Sequence, residues 1–183
     1  MKNLATACVL LTLLVGFWLI ANFVASAQVA GNDNNISVVD DCLPGDSAWD
    51  PTGGCTLKPQ EGDVSEAEFT ALLRSPLTIP PNQFLIGHPS WRNEPSHLTV
   101  KGGRTIRVTN KGGRGHTFTE VTNFGGGFVP PLNIGLSPAP QCTPGGTIPL
   151  PPGATVDVTG LDRGLHRFQC CIHPWMRATI RVE

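Results

Sequence analysis

An excess of charge of either sign is the first thing this sequence lacks. Thirteen Lys and Arg stand against fourteen Asp and Glu over 183 residues, a formal charge of −1. There is no net field to hold a polyanion, and no nucleic-acid partner is implied. Long apolar runs are missing after Ala30, so nothing beyond that point is apolar for long enough to span a bilayer. Methionine is scarce, with Met176 the only one besides the initiator. The five histidines include no pair separated by a single residue, which leaves a multi-histidine cluster nothing local to build on. What is present, at 40% hydrophobic residues, has room for one ordinary domain plus something smaller.

The start of the chain is the exception. Lys2, an apolar run from Leu4 to Ala21 and the small-x-small triplet Ala25-Ser26-Ala27 predict a secretory signal peptide over residues 1–27. The run is long for a signal, so an uncleaved N-terminal membrane anchor is the competing reading. Either way the remainder is exported, secreted or periplasmic, into a compartment where disulfides persist.

Residues 28–83 read as an N-terminal extension whose start, through Asn35, is polar. Cys42 and Cys55 flank Pro44-Gly45 and Pro51-Thr52-Gly53-Gly54, a loop able to turn back on itself, which predicts that the two pair. Ser65-Glu66-Ala67-Glu68 is a capping box, and Phe69, Leu72 and Leu73 follow at helical spacing. One short helix is expected, ending near Ser75 because Pro76 disfavours helix before it. Its apolar face is too small to form a core and needs a neighbour to pack on. Pro76, Pro80 and Pro81 predict a stiff, extended connection. Nine acidic and two basic residues lie between Gln28 and Ser90, against five acidic and ten basic from Trp91 onward. The division fits an intramolecular docking surface, and equally two sets of charges that face solvent.

From residue 84 to 183 short strand-like runs alternate with turn signals: Leu98 to Val100, Thr105 to Thr109, Thr117 to Val121, Thr155 to Thr159, Gly164 to Cys170 and Ala178 to Val182. This spacing predicts an all-β Greek-key sandwich or barrel. The segment from Phe124 to Gly153 carries Gly125-Gly126-Gly127 and Pro130-Pro131 without periodicity, and a loop of that length in a compact domain calls for a function. It directly follows the strand of His116, which brings Phe128, Leu132 and Ile134 into consideration as a water-excluding cover.

The chemistry sits in Phe168-Gln169-Cys170-Cys171-Ile172-His173-Pro174-Trp175-Met176. Cys170, His173 and Met176 place a thiolate, an imidazole and a thioether three residues apart between strand-like runs. Thiolate and thioether favour Cu(I), imidazole accepts both copper states, and two imidazoles with a thiolate and a weak axial thioether make an electron-transfer site. One imidazole is missing from the loop. His116 supplies it best, because it ends the glycine-rich turn Lys111 to Gly115 between two strand-like runs. Cys-x-x-His alone is a weak signal, and a thiol site or a zinc site competes, although structural zinc has little use for a thioether.

These residues resemble the cupredoxins, the Cys-x-x-His-x-x-Met spacing being that of amicyanin. The resemblance covers roughly residues 84–183, with Glu94 through Gly103 matching the opening strand and turn and Asn110 through His116 the first-histidine region. It implies a cupredoxin-like fold and one copper ion, Cu(I) or Cu(II), held by His116, Cys170, His173 and Met176. It also implies one-electron transport with a redox partner protein, reached through His173 beside an apolar patch to which Trp175 would contribute. Copper carriage without electron transfer is the alternative function. An enzyme is not expected, since oxygen or nitrite chemistry needs an open coordination position or a second cluster. The sequence departs from the family at Cys171, inside the loop. With Cys170 assigned to copper and Cys42 to Cys55, Cys142 and Cys171 remain as a second pair, one of three connectivities that four cysteines allow. His88, His97 and His166 are expected to be non-ligands.

Overall fold

The computed structural model describes residues 34–74, 85–143, 145 and 147–183. The expected signal peptide or anchor over residues 1–27 and the Pro76 to Pro81 connection lie outside them. Asn34–Glu183 forms one compact unit, so the segment through Arg74 belongs to the same body as the strands that follow.

Ten strands are present among the described residues: β1 (Asn35–Asp40), β2 (Trp91–Glu94), β3 (His97–Val100), β4 (Ile106–Asn110), β5 (His116–Thr117), β6 (Thr119–Val121), β7 (Pro149–Leu150), β8 (Thr155–Val158), β9 (Gly164–Gln169) and β10 (Arg177–Val182). They form two mixed four-stranded sheets, ordered β2-β1-β4-β8 and β3-β10-β9-β6, and a small β5-β7 pair. The six expected strands are there, one of them split at Phe118. β1, β2 and β7 add to them.

Side chains alternate across a strand. Ile36 and Val38 of β1, Ile106 and Val108 of β4, Phe168 of β9, and Ala178, Ile180 and Val182 of β10 all point into a single buried cluster. Both sheets bury their inner faces against that cluster, which makes the architecture a β-sandwich. β1 runs inside its sheet, antiparallel to β2 with Val38 opposite Asn93 and parallel to β4 with Val38 opposite Asn110. The polar start is followed by a strand from Asn35 onward, whose alternate residues Ile36 and Val38 are apolar and find a core.

The helix α1 spans Glu66–Arg74. Its box is closed in both directions, Ser65 N–H donating to Glu68 Oε2 at 2.9 Å and Glu68 N–H to Ser65 Oγ at 3.2 Å. Phe69 is the buried residue of its apolar face and packs on Trp91 (ring centroids 4.7 Å) and Trp49 (5.5 Å).

Cys42 is bonded to Cys55 and Cys142 to Cys171. The second bridge lies in a small satellite core with Val121 and Ala139, against which Phe124 and Phe128 pack. It ties the Pro/Gly segment to the residue after Cys170. Further ties come from Phe128 N–H donating to the Cys171 carbonyl (2.9 Å) and from the Gln169 side-chain amide, bonded to Gly125 and Gly126. A Cβ at Gly127 would lie 1.8 Å from the Cys171 carbonyl oxygen, so only glycine permits this approach. Of the three residues considered as a cover, Leu132 packs against the main core and Phe128 on the satellite, whereas Ile134 is 63% exposed.

Candidate metal centre

The turn before β5 is cinched from two sides. Asn110, at the buried end of β4, donates its amide to the carbonyls of Arg114 (2.7 Å) and Leu150 (2.8 Å) and accepts from Gly112 N–H (2.9 Å). Asp40, at the end of β1, accepts from Gly113 N–H and Arg114 N–H, both at 3.0 Å. The backbone passes so near that a Cβ at Gly112 would lie 2.0 Å from Asp40 Oδ2, and one at Gly113 2.6 Å from Cys42 Sγ. Both glycines are demanded by close approach rather than by backbone conformation. Arg114 reaches back over the ring of Trp49 (4.5 Å) and donates to the carbonyls of Gly54 (2.6 Å) and Thr52 (3.0 Å). The acidic and basic segments therefore join here through carbonyls and aromatic faces. Among the described residues the one ion pair crossing that division is Asp40 with His116.

His116 emerges from this turn 1% exposed. Its Nε2 lies 2.7 Å from Asp40 Oδ2, and its Nδ1 faces the other donors. Nδ1 is 3.7 Å from Cys170 Sγ and 3.2 Å from His173 Nδ1, and Sγ is 3.8 Å from His173 Nδ1. The loop after β9 brings the last two together. Cys170 N–H donates to the Met176 carbonyl (3.0 Å) and Met176 N–H to the His173 carbonyl (2.9 Å), closing a compact turn. Two further N–H groups, of Thr117 and His173, each point at Cys170 Sγ from 3.4 Å. Met176 is fully buried in the main core.

These three donor atoms fit one metal ion. First-row bonds of about 2.0 Å to nitrogen and 2.3 Å to sulfur in a trigonal plane require edges of roughly 3.5 Å between nitrogens and 3.7 Å from sulfur to nitrogen. The observed triangle of 3.2, 3.7 and 3.8 Å is close to that, and His116, Cys170 and His173 form the metal-capable cluster found among the described residues. His166 instead pairs with Glu120 (2.7 Å), and His97 lies exposed beside Ser96.

The electrostatics prepare the same site. Burial opposes charge on Cys170, yet the two histidines outweigh it and hold the thiol well below its usual range. Burial would also lower His116, but the hydrogen bonds to Asp40 and Cys170 push it up to about 9. Burial, with the neighbouring His116 charge, keeps His173 below its usual value despite the pull of the thiolate. Asp40 is held below the carboxylate range, the hydrogen bond and charge of His116 exceeding the cost of burial. The metal-free cluster at neutral pH is then a thiolate, a neutral imidazole and an imidazolium. Coordination through His116 Nδ1 must displace a proton, so metal uptake at neutral pH is expected to release about one proton, falling toward none as pH rises past about 9. Calorimetric titration with metal in buffers of different ionisation enthalpy measures it, and uptake without proton release at neutral pH would contradict the assignment of charge.

Of the four candidates His116, Cys170, His173 and Met176, the structure brings the first three into one cluster and buries the fourth in the same loop. Sequence reasoning missed Asp40. The signal was the alternation Ile36, Val38, Asp40, which places a carboxylate on the core-facing side of a strand. The expected apolar patch at His173 is covered: His173 is 5% exposed and Trp175 1%, with Phe69 of α1 centred 6.4 Å from the imidazole and 6.2 Å from Trp175. A cavity of about 440 Å³ remains beside His173, lined also by Trp49, Phe69, Trp91, Arg114 and Leu132.

A mixed two-sheet sandwich thus carries a buried histidine-cysteine-histidine cluster, the metal-capable site among the described residues. Among solved structures the chain is similar to cupredoxins. One is a purple cupredoxin from Nitrosopumilus maritimus, 21% identical over 52% of this chain and 85% of that chain, with a TM-score of 0.37. A reduced amicyanin variant is 22% identical over 50% of this chain and 73% of that one, TM-score 0.35. A copper-containing nitrite reductase from Thermus scotoductus is 22% identical over 50% of this chain and 20% of its own, TM-score 0.34. No protein-family model and no curated protein matches the chain. At these scores the likeness adds no weight to the reading of the site, which stands on its own geometry.

Proposed function

We propose that this chain is an exported mononuclear copper protein that carries one electron at a time, in which His116, Cys170, His173 and Met176 would hold the ion. The observation that carries the reading is the donor triangle itself, buried, with His116 at the start of β5 and the other two in the hydrogen-bonded turn between β9 and β10. Copper bound there supplies a thiolate-bonded one-electron couple. The chain's part is to hold the donors nearly still in both oxidation states, exclude water, and temper the thiolate through the N–H groups of Thr117 and His173. Softness favours copper over zinc, because a thiolate and a buried thioether in one loop suit copper, while the thioether offers zinc little.

Carriage of copper without electron transfer is the second reading, and burial of all three donors disfavours it, since ready handover needs an accessible ligand. Export is supported by the sequence of residues 1–27 and by two disulfides, which persist in oxidising compartments. Among the described residues no helix is long and apolar enough to cross a membrane. The partner is a redox protein.

A visible and EPR spectrum of the copper-loaded mature protein, followed by reduction and reoxidation, tests the proposal. Intense thiolate-to-Cu(II) absorption that returns with the metal retained supports it. Ready loss of Cu(I) to an acceptor favours the carrier. Met176→Leu is expected to keep copper and colour but to raise the reduction potential, because a weak donor to Cu(II) is gone. Loss of all copper from that variant would give the methionine a larger role.

A further inference from the structure

The carboxylate of Asp40 is buried, 1% exposed, and comes from β1, which the cupredoxin resemblance does not cover. Its two oxygens take three donors: Gly113 N–H, Arg114 N–H and His116 Nε2. An acceptor-only group at Nε2 requires a proton to be there, so it is the Nδ1 proton that a metal displaces and the Nδ1 lone pair that would take the metal. The ring is already turned that way, with Nδ1 3.2 Å from His173 Nδ1 and 3.7 Å from Cys170 Sγ. No cation other than His116 makes an ion pair with this carboxylate among the described residues. The Arg114 side chain is engaged with the Trp49 to Gly54 segment.

We propose that Asp40 is a positioning residue of the metal centre, which fixes the tautomer and aim of His116 and sets a negative charge one imidazole away that favours the more highly charged state of the metal. The inference rests on the copper reading above. A carboxylate that served only to hold the turn at Gly112 and Gly113 would affect stability and leave the redox preference alone. A charge acting across the imidazole must move that preference.

Asp40→Asn tests the difference. With its amide oxygen at the Oδ2 position it can still accept from His116 and from Arg114 N–H, while the charge is lost and the amide N–H₂ meets the Gly113 donor. The variant is expected to shift the ratio of Cu(I) to Cu(II) affinities roughly tenfold to a hundredfold toward Cu(I). At 59 mV per decade this is a rise of about 60 to 120 mV in reduction potential. Asp157→Asn removes an equal charge from an exposed pair with Arg107 and is expected to shift the ratio less than threefold, given solvent screening.

A second measurement does not depend on the variant folding. In the wild-type protein loaded with Cu(I), which is diamagnetic, nitrogen NMR is expected to find His116 with a slowly exchanging proton on Nε2 and the metal on Nδ1. Unchanged potential in a folded, coloured Asp40→Asn protein, or a His116 Nε2 that carries no proton in the wild type, overturns the inference while the copper reading stands. A wild-type protein that takes up copper without thiolate-to-copper colour overturns both.

Discussion

Replacing Cys170 with serine is expected to abolish the visible absorption of the copper-loaded protein. Cys170 is 0% exposed and is the free cysteine among the described residues. Its sulfur is the one soft anionic atom of the donor triangle, held as a thiolate by His116 and His173. A serine hydroxyl at that position stays protonated and offers a hard, neutral oxygen, so the strong bond and its charge transfer both disappear. The neighbouring cysteine serves as the contrast. Removing the Cys142–Cys171 bridge as a double serine variant is expected to leave the colour intact, because Cys171 Sγ is committed to Cys142. Opening a closure with a sequence separation of 29 is expected to cost on the order of 3 to 4 kcal/mol in the chain-entropy model. Visible spectra and chemical denaturation of the two proteins separate the outcomes. Full colour in Cys170→Ser would sink the ligand assignment.

A chain reduced to residues 84–183 is expected not to fold, although the resemblance to cupredoxins is confined to that range. The truncation removes β1 from the interior of its sheet, leaves β2 without its strand partner and opens a long edge on β4. Ile36, Val38, Trp49 and Phe69 leave the core with it, none more than 7% exposed. At about 1.5 to 3 kcal/mol for each large apolar side chain, the loss is roughly 6 to 12 kcal/mol. That is comparable with the whole stability of an ordinary domain, about 5 to 15 kcal/mol. Asp40 departs as well, stranding the donors of Gly113, Arg114 and His116. Circular dichroism and a thermal melt of the shortened chain decide it, and a cooperative transition near that of the longer protein would show the N-terminal segment to be dispensable.

Local signals carried the three residues that cluster. Cys170 and His173, with Met176 proposed beside them, stand out because a metal loop would present its donors within one turn, and His116 because a glycine-rich run between two strand-like stretches marks a hairpin. The helix at Glu66 is legible because a capping box is written in four adjacent residues. Asp40 leaves no comparable trace. Its partner lies 76 residues away, β1 pairs in parallel with a strand it does not adjoin, and three core-facing positions are too few for a periodicity to stand out. The Phe124 to Gly153 segment was legible as a gap in the pattern and, through the cysteine count, as tied to Cys171. The side-chain amide of Gln169 and the satellite core that also hold it have no local spacing. The burial of His173 followed from Phe69, whose need for a neighbour was readable but whose neighbour was not.

The parallel pairing of β1 with β4 bears on when the site comes into being. β1 is made early, yet it cannot dock until β4 and the turn to His116 have followed, and Cys170 comes 54 residues after His116. Contacts of such separation carry their loop-closure entropy before any reward is returned, which makes them slow to form. A nascent chain emerging from its N-terminus therefore has no donor triangle to offer until almost all of it is available. Were the chain exported as proposed above, a metal met before that point would encounter only scattered single ligands.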